Sequence, residues 1–398
     1  MKIAIVGGGI GGLTAALALA RRGLEVEVLE QAPTIEPMGA SLQLGPNAMR
    51  LLSELDLLPA LRTVGVRPDA VDFVRWDDGS LLLRTELGEA AERYFGAPQL
   101  DFFRPDLHRV LVDALPRGVL RLGMSIDRVE QDDAGVTLVA ASGEELRAGA
   151  VVVADGINSR LRQQHWGEDD PVFSSTVVYR GVVPRAAVEH LHPDRLNVYW
   201  LGPRRHGVSY WIAGGGLLAM NCAVQDAEWS QESWTLETDP AEAAAAFAGW
   251  DPRLVERIRL VTTSLRGAVF VRSGLEHWSI GRATLLGDAA HAMEPFQAQG
   301  AAQAVEDAYV LAACVAACDD VVEAFDAYER IRIARAEELQ SSSAAAANVF
   351  YLPDGAEQRT RDARYATLLE QLPFGTRQPI WEYDVRDALA GAGVPDAR

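Results

Sequence analysis

Lysine is almost missing from this 398-residue chain: Lys2 is the only one, and arginine carries nearly all of its positive charge. Acid outweighs base, 56 Asp and Glu against 37 Lys and Arg, for a net charge of −19. That field repels nucleic acid and anionic membrane, so neither is an expected partner. An anionic ligand would need a local basic patch. Cysteine is scarce too: Cys222, Cys314 and Cys318 form no disulfide framework, and the spacing of the last two is not that of a zinc site. Those two read as small core residues on one helix face, and no metal is expected. Long apolar runs are also absent; none approaches the length of a bilayer span. Lys2 leads directly into a short apolar strand rather than a signal peptide. The expectation is a reduced, cytoplasmic, soluble enzyme, monomeric or a homodimer.

What is present is ordinary in bulk, 48% hydrophobic and 23% charged. The length suits two domains, or one large domain with an inserted lobe. Local pattern is more informative. Lys2 to Val6 reads as a strand, Gly7-Gly8-Gly9-Ile10-Gly11-Gly12 as a loop, and Leu13 to Arg22 as an Ala/Leu-rich helix stopped by Gly23. Leu24 to Leu29 alternates as a second strand and ends at Glu30. In such a unit Gly7 permits the tight turn, Gly9 lets backbone approach a pyrophosphate, and Gly12 lets helix and strand pack closely. The helix start offers free amides to phosphate, and Glu30 is spaced to accept from ribose hydroxyls. The unit predicts a bound dinucleotide.

Further along, a turn at Gly45-Pro46-Asn47 precedes a helical run, and Asp101 to Leu111 carries Arg104 ahead of apolar residues at helical spacing. Val129 to Ala140 and Glu144 to Val153 read as a hairpin closed by Ala141-Ser142-Gly143, followed by a buried strand, Ala150 to Ala154. Between 172 and 272 short alternating strands predict an antiparallel sheet: Thr176 to Val183, Asn197 to Leu201, Val208 to Ile212 and Leu217 to Val224. Ala241 to Ala248 reads as a helix between them. Beyond 278 the pattern returns to α/β, with a strand at Ala283 to Leu286 and a helix from Gly300 to Ala317. The tail from 340 begins helix-prone and ends in polar, frayed sequence.

Two more motifs follow the glycine loop: Asp155-Gly156-Ile157-Asn158-Ser159 with Arg162, and Gly287-Asp288-Ala289-Ala290-His291. In this order the three motifs resemble those of the single-component flavoprotein aromatic hydroxylases, the group of para-hydroxybenzoate and salicylate hydroxylases, over essentially the whole chain. The resemblance implies an α/β fold: a discontinuous Rossmann-like FAD-binding domain (1–72, 98–171 and 273–340), an inserted antiparallel-sheet substrate domain (73–97 and 172–272), and a C-terminal helical segment (341–398). It implies bound FAD held by Gly7, Gly9, Gly11, Gly12, Glu30, Arg104, Asp155, Gly287 and Asp288, with Asp288 at the ribityl chain. It further implies NADH or NADPH as transient co-substrate and dioxygen added at flavin C4a, the hydroperoxide giving one oxygen atom to an aromatic ring. Gln31 departs from the family, which often has Arg or Lys there. Trp381-Glu382-Tyr383-Asp384 resembles a closing segment of salicylate-hydroxylase-like members.

Pro295, Gln299 and Gly300 precede a strongly helical stretch, whose N-terminal dipole would stabilise negative charge on a reduced flavin. For catalysis the leading residues are His206 and Tyr210, four apart on one strand and so on one face, suited to removing a phenol proton. Related hydroxybenzoate and hydroxynicotinate hydroxylases resemble this stretch after Gly202-Pro203. Gln43 is a further pocket candidate, at a place where one relative carries histidine. Arg180 suits either a carboxylate or a domain interface, and His291 positions backbone rather than moving protons. Trp200, Trp211, Trp229 and Trp234 read as core or rim. The expected activity is hydroxylation of a phenolic or hydroxylated heteroaromatic acid, of salicylate, hydroxybenzoate or hydroxynicotinate type. Hydroxylation of a larger natural-product ring, a flavin dehydrogenase or reductase, and a non-catalytic flavin-binding relative remain open alternatives.

Overall fold

The computed structural model describes residues 1–35, 41–167, 169–226 and 236–395. The opening strand Lys2–Val6 runs parallel to Glu25–Glu30 on one side and to Ala150–Val153 on the other, with Ile3 opposite both Val26 and Ala150. These strands centre a six-stranded sheet that continues through Ala283–Leu285 to Ser279–Ile280 and, at the other edge, Leu120–Leu122. Ala150–Val153 is buried at every position, as a strand covered on both faces must be. Helix Ile10–Arg21 crosses between the first two strands and packs on helix Gly300–Ala317. Gly7 adopts φ +110°, and a Cβ on Gly12 would lie 2.0 Å from the Gly7 carbonyl oxygen. The strand–loop–helix turn therefore closes only without side chains at these positions.

The second layer is an eight-stranded sheet. Its order is Leu236–Glu237, Thr263–Val271, Val172–Pro184, Leu217–Gln225, Arg205–Ile212, Leu196–Gly202, Ala70–Arg75 and Leu81–Glu86. It is antiparallel except where Leu196–Gly202 meets Ala70–Arg75 in parallel. Period-two alternation divides its side chains. One face buries Trp200, Trp211, Leu218, Met220 and Cys222 against helices Pro240–Ala246 and Pro252–Arg259. Trp200 donates to Asp251 at 2.8 Å and Trp211 to the Asp194 carbonyl at 3.0 Å. Both tryptophans are core; Trp229 and Trp234 lie outside the described residues. The other face presents Tyr199, His206, Val208, Tyr210, Asn221 and Ala223 to a cavity.

Several local expectations change. Residues 126–148 form a three-stranded meander, not one hairpin, because Asp132 accepts from the Ala134 and Gly135 amides (2.8 and 3.0 Å) and turns the chain there. The turn at 141–143 then joins the second and third strands. Cys314 is buried but Cys318 caps the helix, half-buried. Helix Val321–Phe350 runs straight through position 340, and the sheet strand starting at Ala70 precedes position 73. The tail is not frayed over its described part: helices Ala356–Gln371, Gln378–Glu382 and Val385–Gly391 bury Tyr365, Leu368, Ile380, Trp381, Val385 and Leu389. These apolar residues are spread thinly through polar sequence and give no run to notice. Among the described residues no helix is long and apolar enough to cross a membrane.

Gly12→Ala provides a check on the first turn. Alanine improves a helix by about 1 kcal/mol, but a methyl against a backbone oxygen has no rotamer to escape into. A net loss of about 2 kcal/mol is expected in urea unfolding; unchanged stability would contradict the packing described.

Candidate functional site

The glycine loop opens onto a cleft of about 350 Å³ lined by Gly8, Gly9, Glu30, Arg104 and His108. Among the described residues no atom lies within 4 Å of where a Gly9 Cβ would sit, and no side chain caps helix Ile10–Arg21. Its first amides are therefore available to an anion. Glu30 accepts from the amides of Gly8 (2.7 Å) and Ala32 (2.8 Å), which fixes its carboxylate at the strand end. His108, which has no motif to mark it, bonds the Gly8 carbonyl through Nε2 at 2.7 Å. Gly7, Gly11 and Gly12 act through packing: a Cβ on Gly11 would meet Leu286 at 2.7 Å.

The second and third motifs hold each other. Ser159 caps helix Arg160–Trp166 by accepting from the Arg162 amide at 3.0 Å. The Arg162 side chain is fully buried and donates to the carbonyls of Ala289 and Ala290, both at 2.9 Å, while Asp169 balances its charge. Asp155 lies half-buried nearby; desolvation pushes its pKa up to about 6, and its buried Oδ1 has no hydrogen-bond partner. On the other side Asp307, wholly buried, accepts from the Gly287 amide (3.0 Å), His291 Nε2 (2.6 Å) and Arg332 Nε (2.8 Å). His291 thus positions backbone through Asp307. Arg332 also pairs with Glu306 at 2.8 Å.

Asp288 emerges from this clamp into a second cavity of about 300 Å³, which also receives Gln43, His206, Tyr210, Pro295, Gln299 and Gly300. Seven residues proposed from far-apart parts of the sequence therefore meet in one place. The Asp288 side chain is open to the cleft, yet surrounding protein raises its pKa, with His291 and Arg104 opposing. A Gly300 Cβ would sit 3.8 Å from its Oδ1. The Gln299 side chain turns inward, its Oε1 accepting from Asn47 at 3.0 Å and Gln303 at 3.1 Å. Arg180 lines the cavity; burial, helped by Arg104, lowers it to about 10.

His206 is 8% exposed, and burial drops its imidazole to about 3, so the ring is neutral. Its Nδ1 has no partner, and its ring lies 5.4 Å from that of Phe296. Tyr210 donates to Ser41 Oγ at 2.8 Å, and burial raises its phenol well above the usual range. Gln43 Oε1 accepts from Tyr199 (2.9 Å) and from Arg377 (3.1 Å). Tyr199, Arg377 and Asp101 carry no sequence motif; only the cross-strand pairing of Gln43 with Asp101 brings that acid under the cavity. Among the described residues no cluster of His, Cys, Asp and Glu is arranged to hold a metal.

Comparison with known proteins fits this geometry. The FAD binding domain family model matches residues 1–343. The chain belongs to this family, that of the flavoprotein aromatic hydroxylases. A 3-amino-4-hydroxybenzoate 2-monooxygenase of Streptomyces platensis is 43% identical over 367 residues, covering 92% of each chain. A 6-hydroxynicotinate 3-monooxygenase of Bordetella bronchiseptica is 35% identical over 86% of this chain and 90% of that enzyme. The solved structure of a salicylate hydroxylase substrate complex superposes with a TM-score of 0.84 at 26% identity, covering 99% of this chain and 98% of that one. This hydroxylase is thus a FAD-dependent aromatic monooxygenase with a mixed α/β fold.

Beneath its cavity, Asp101 is 1% exposed and desolvation lifts its pKa to about 7. Its folded form binds a proton between about pH 4 and 7 that the unfolded chain releases, so this group makes stability fall as pH rises across that window. Asp101→Asn should remove that slope and gain up to about 4 kcal/mol over wild type at pH 8, with no gain at pH 4. Parallel urea curves for the two proteins at both pH values would contradict the burial.

Proposed function

We propose that this hydroxylase acts on a one-ring phenolic acid of the aminohydroxybenzoate kind, with NADH or NADPH as transient electron donor. The supporting observation is that one cavity gathers the His206–Tyr210 sheet face with Asp288, Pro295 and Gly300. At about 300 Å³ it stands at the small end of ligand pockets, which favours a single ring over a larger natural product.

FAD fits the residues present. The open loop at Gly9 with Glu30 and Arg104 suits its adenosine diphosphate half, and Asp288 with the backbone from Pro295 to Gly300 suits its ribityl and ring end. Bound there, FAD would carry electrons from the nicotinamide and activate dioxygen for insertion of one oxygen atom. On this reading the six-stranded sheet unit serves the cofactor and the eight-stranded sheet the substrate.

The protein's own side chains do the rest. Val178, Val208, Ala223, Val269, Phe296 and Phe350 give an apolar wall that excludes water from the ring. Arg180 supplies the cation for a carboxylate. His206, neutral, donates its one ring N–H to the ring hydroxyl oxygen, while Tyr210 keeps Ser41 and Asn221 in place. Full transfer of a phenol proton, pKa near 10, to an imidazole at about 3 would cost on the order of 10 kcal/mol. His206 therefore orients the hydroxyl rather than keeping its proton.

Substrate-stimulated NADH and NADPH oxidation across 3-amino-4-hydroxybenzoate, 3-hydroxybenzoate, 6-hydroxynicotinate and salicylate tests the substrate class. The first should stimulate most, with one atom of labelled dioxygen in the product. His206→Ala should lower kcat/KM about 10- to 100-fold with FAD content unchanged. No response to any of the four acids, or loss of FAD in the variant, would contradict this assignment.

A further inference from the structure

A proton taken from a buried hydroxyl must reach bulk water, and neither His206 nor Tyr210 gives it a route. His206 Nδ1 is sealed and unpartnered, and the Tyr210 proton is committed to Ser41. Glu294 is placed differently. It lines the substrate cavity and also an outer groove of about 430 Å³ between residues 271–274, 292–294 and helix Val321–Phe350. Met293 shares both linings but cannot titrate. Glu294 is half-buried, and its Oε2 is buried without a hydrogen-bond partner.

The backbone around it is pinned from one helix. Ser343 Oγ donates to the Glu294 carbonyl at 2.6 Å, Gln340 Nε2 to the Ala292 carbonyl at 3.0 Å, and Ser342 Oγ to Gln297 Oε1 at 3.0 Å. Such a held, otherwise unused carboxylate between an interior cavity and a groove suits proton transfer better than structure.

We propose that Glu294 takes up the proton of the substrate's ring hydroxyl and passes it to water in the outer groove. This rests on the phenolic-substrate reading above. The O–H bond breaks with its electron pair left on the ring oxygen; the proton joins a Glu294 carboxylate oxygen, and a water molecule in the groove then removes it. No electrons change hands. Burial pushes Glu294 up to about 7, near the value that best suits a general base at neutral pH. The groups facing it are Arg180, His206 and Asp288 on the cavity side, Arg272 and Glu337 on the groove side, and Tyr351 beside it. Arg272 is already engaged with Asp169 and the Ile157 carbonyl.

The test uses the FAD-loaded enzyme. Because the carboxylate must be ionised to accept, wild-type kcat should rise with pH through about 7 and then level. Mixing oxidised enzyme with 3-amino-4-hydroxybenzoate in weakly buffered indicator dye should show a prompt release of one proton. Glu294→Gln should lose the acidic limb, lose about 100-fold in kcat, and slow the proton release, with FAD content and circular dichroism unchanged. Glu294→Asp keeps a carboxylate of shorter reach; it should keep the limb with slower release, and carries the test alone if the glutamine variant does not fold. A glutamine variant with the wild-type limb and release, or an aspartate variant without the limb, overturns the proposal. If wild type neither binds nor responds to any of the four acids, the phenolic-substrate reading fails instead.

Discussion

One carboxylate with no access to water, Asp307, fixes how three separate parts of this chain meet. Its oxygens accept from the Gly287 amide, His291 and Arg332 at once. Burial alone would raise its pKa, but His291 and Arg332 together hold it below the ordinary carboxylate range. A buried anion on these terms does not move, because losing any one partner leaves charge uncompensated in a medium that cannot solvate it. Arg332 extends the restraint to Glu306 and Gln303, and Glu306 to Asn47 at 2.7 Å. The strand end before Asp288, the helix from Gly300 and the turn after Gly45 are thereby joined in one buried polar network. The Asp288 end of the cavity is built on it.

The sheet wall of the cavity is built differently, from alternation along strands. Leu201, Tyr199 and Asn197 share one face of their strand, and Trp200 the other. Because the same parity sends His206 and Tyr210 inward and Trp211 outward, the sheet buries its tryptophans behind the cavity and leaves a wall of smaller apolar and polar groups in front. A one-residue slip of register would exchange the two sets. Cavity lining and core packing thus fall on opposite faces of one sheet, while Arg162 ties the loop at Ser159 to the segment that carries Asp288.

Much of this was legible in the sequence, for physical reasons. The glycine loop declares itself because strand, turn, helix and acid occur at fixed short spacing. The Gly300–Ala317 helix is as expected, residue for residue, because its composition and its Gln-Gly entry leave no competing pattern. His206 and Tyr210 were found together because period two is a local rule. What stayed hidden depends on contacts across long sequence separation. Asp101 lies under the cavity only through its pairing with Gln43, and Arg377 reaches Gln43 from 334 positions away. Asp307 and Arg332 look like ordinary charges on two helices until the helices pack. The tail misled because Ile380, Trp381 and Leu389 are isolated in polar sequence, though each is buried. Glu294 is one residue from a recognised proline, but nothing local tells that it faces two cavities.

The claim that the Asp307 clamp holds the cofactor cleft in shape is tested most directly by the FAD dissociation constant of Asp307→Asn, measured by fluorescence titration of the apoprotein beside far-ultraviolet circular dichroism. The account predicts FAD binding weakened by about tenfold or more with helix and strand content retained, the amide being unable to replace a charge-assisted acceptor for His291 and Arg332. An unchanged dissociation constant in a folded variant would contradict it.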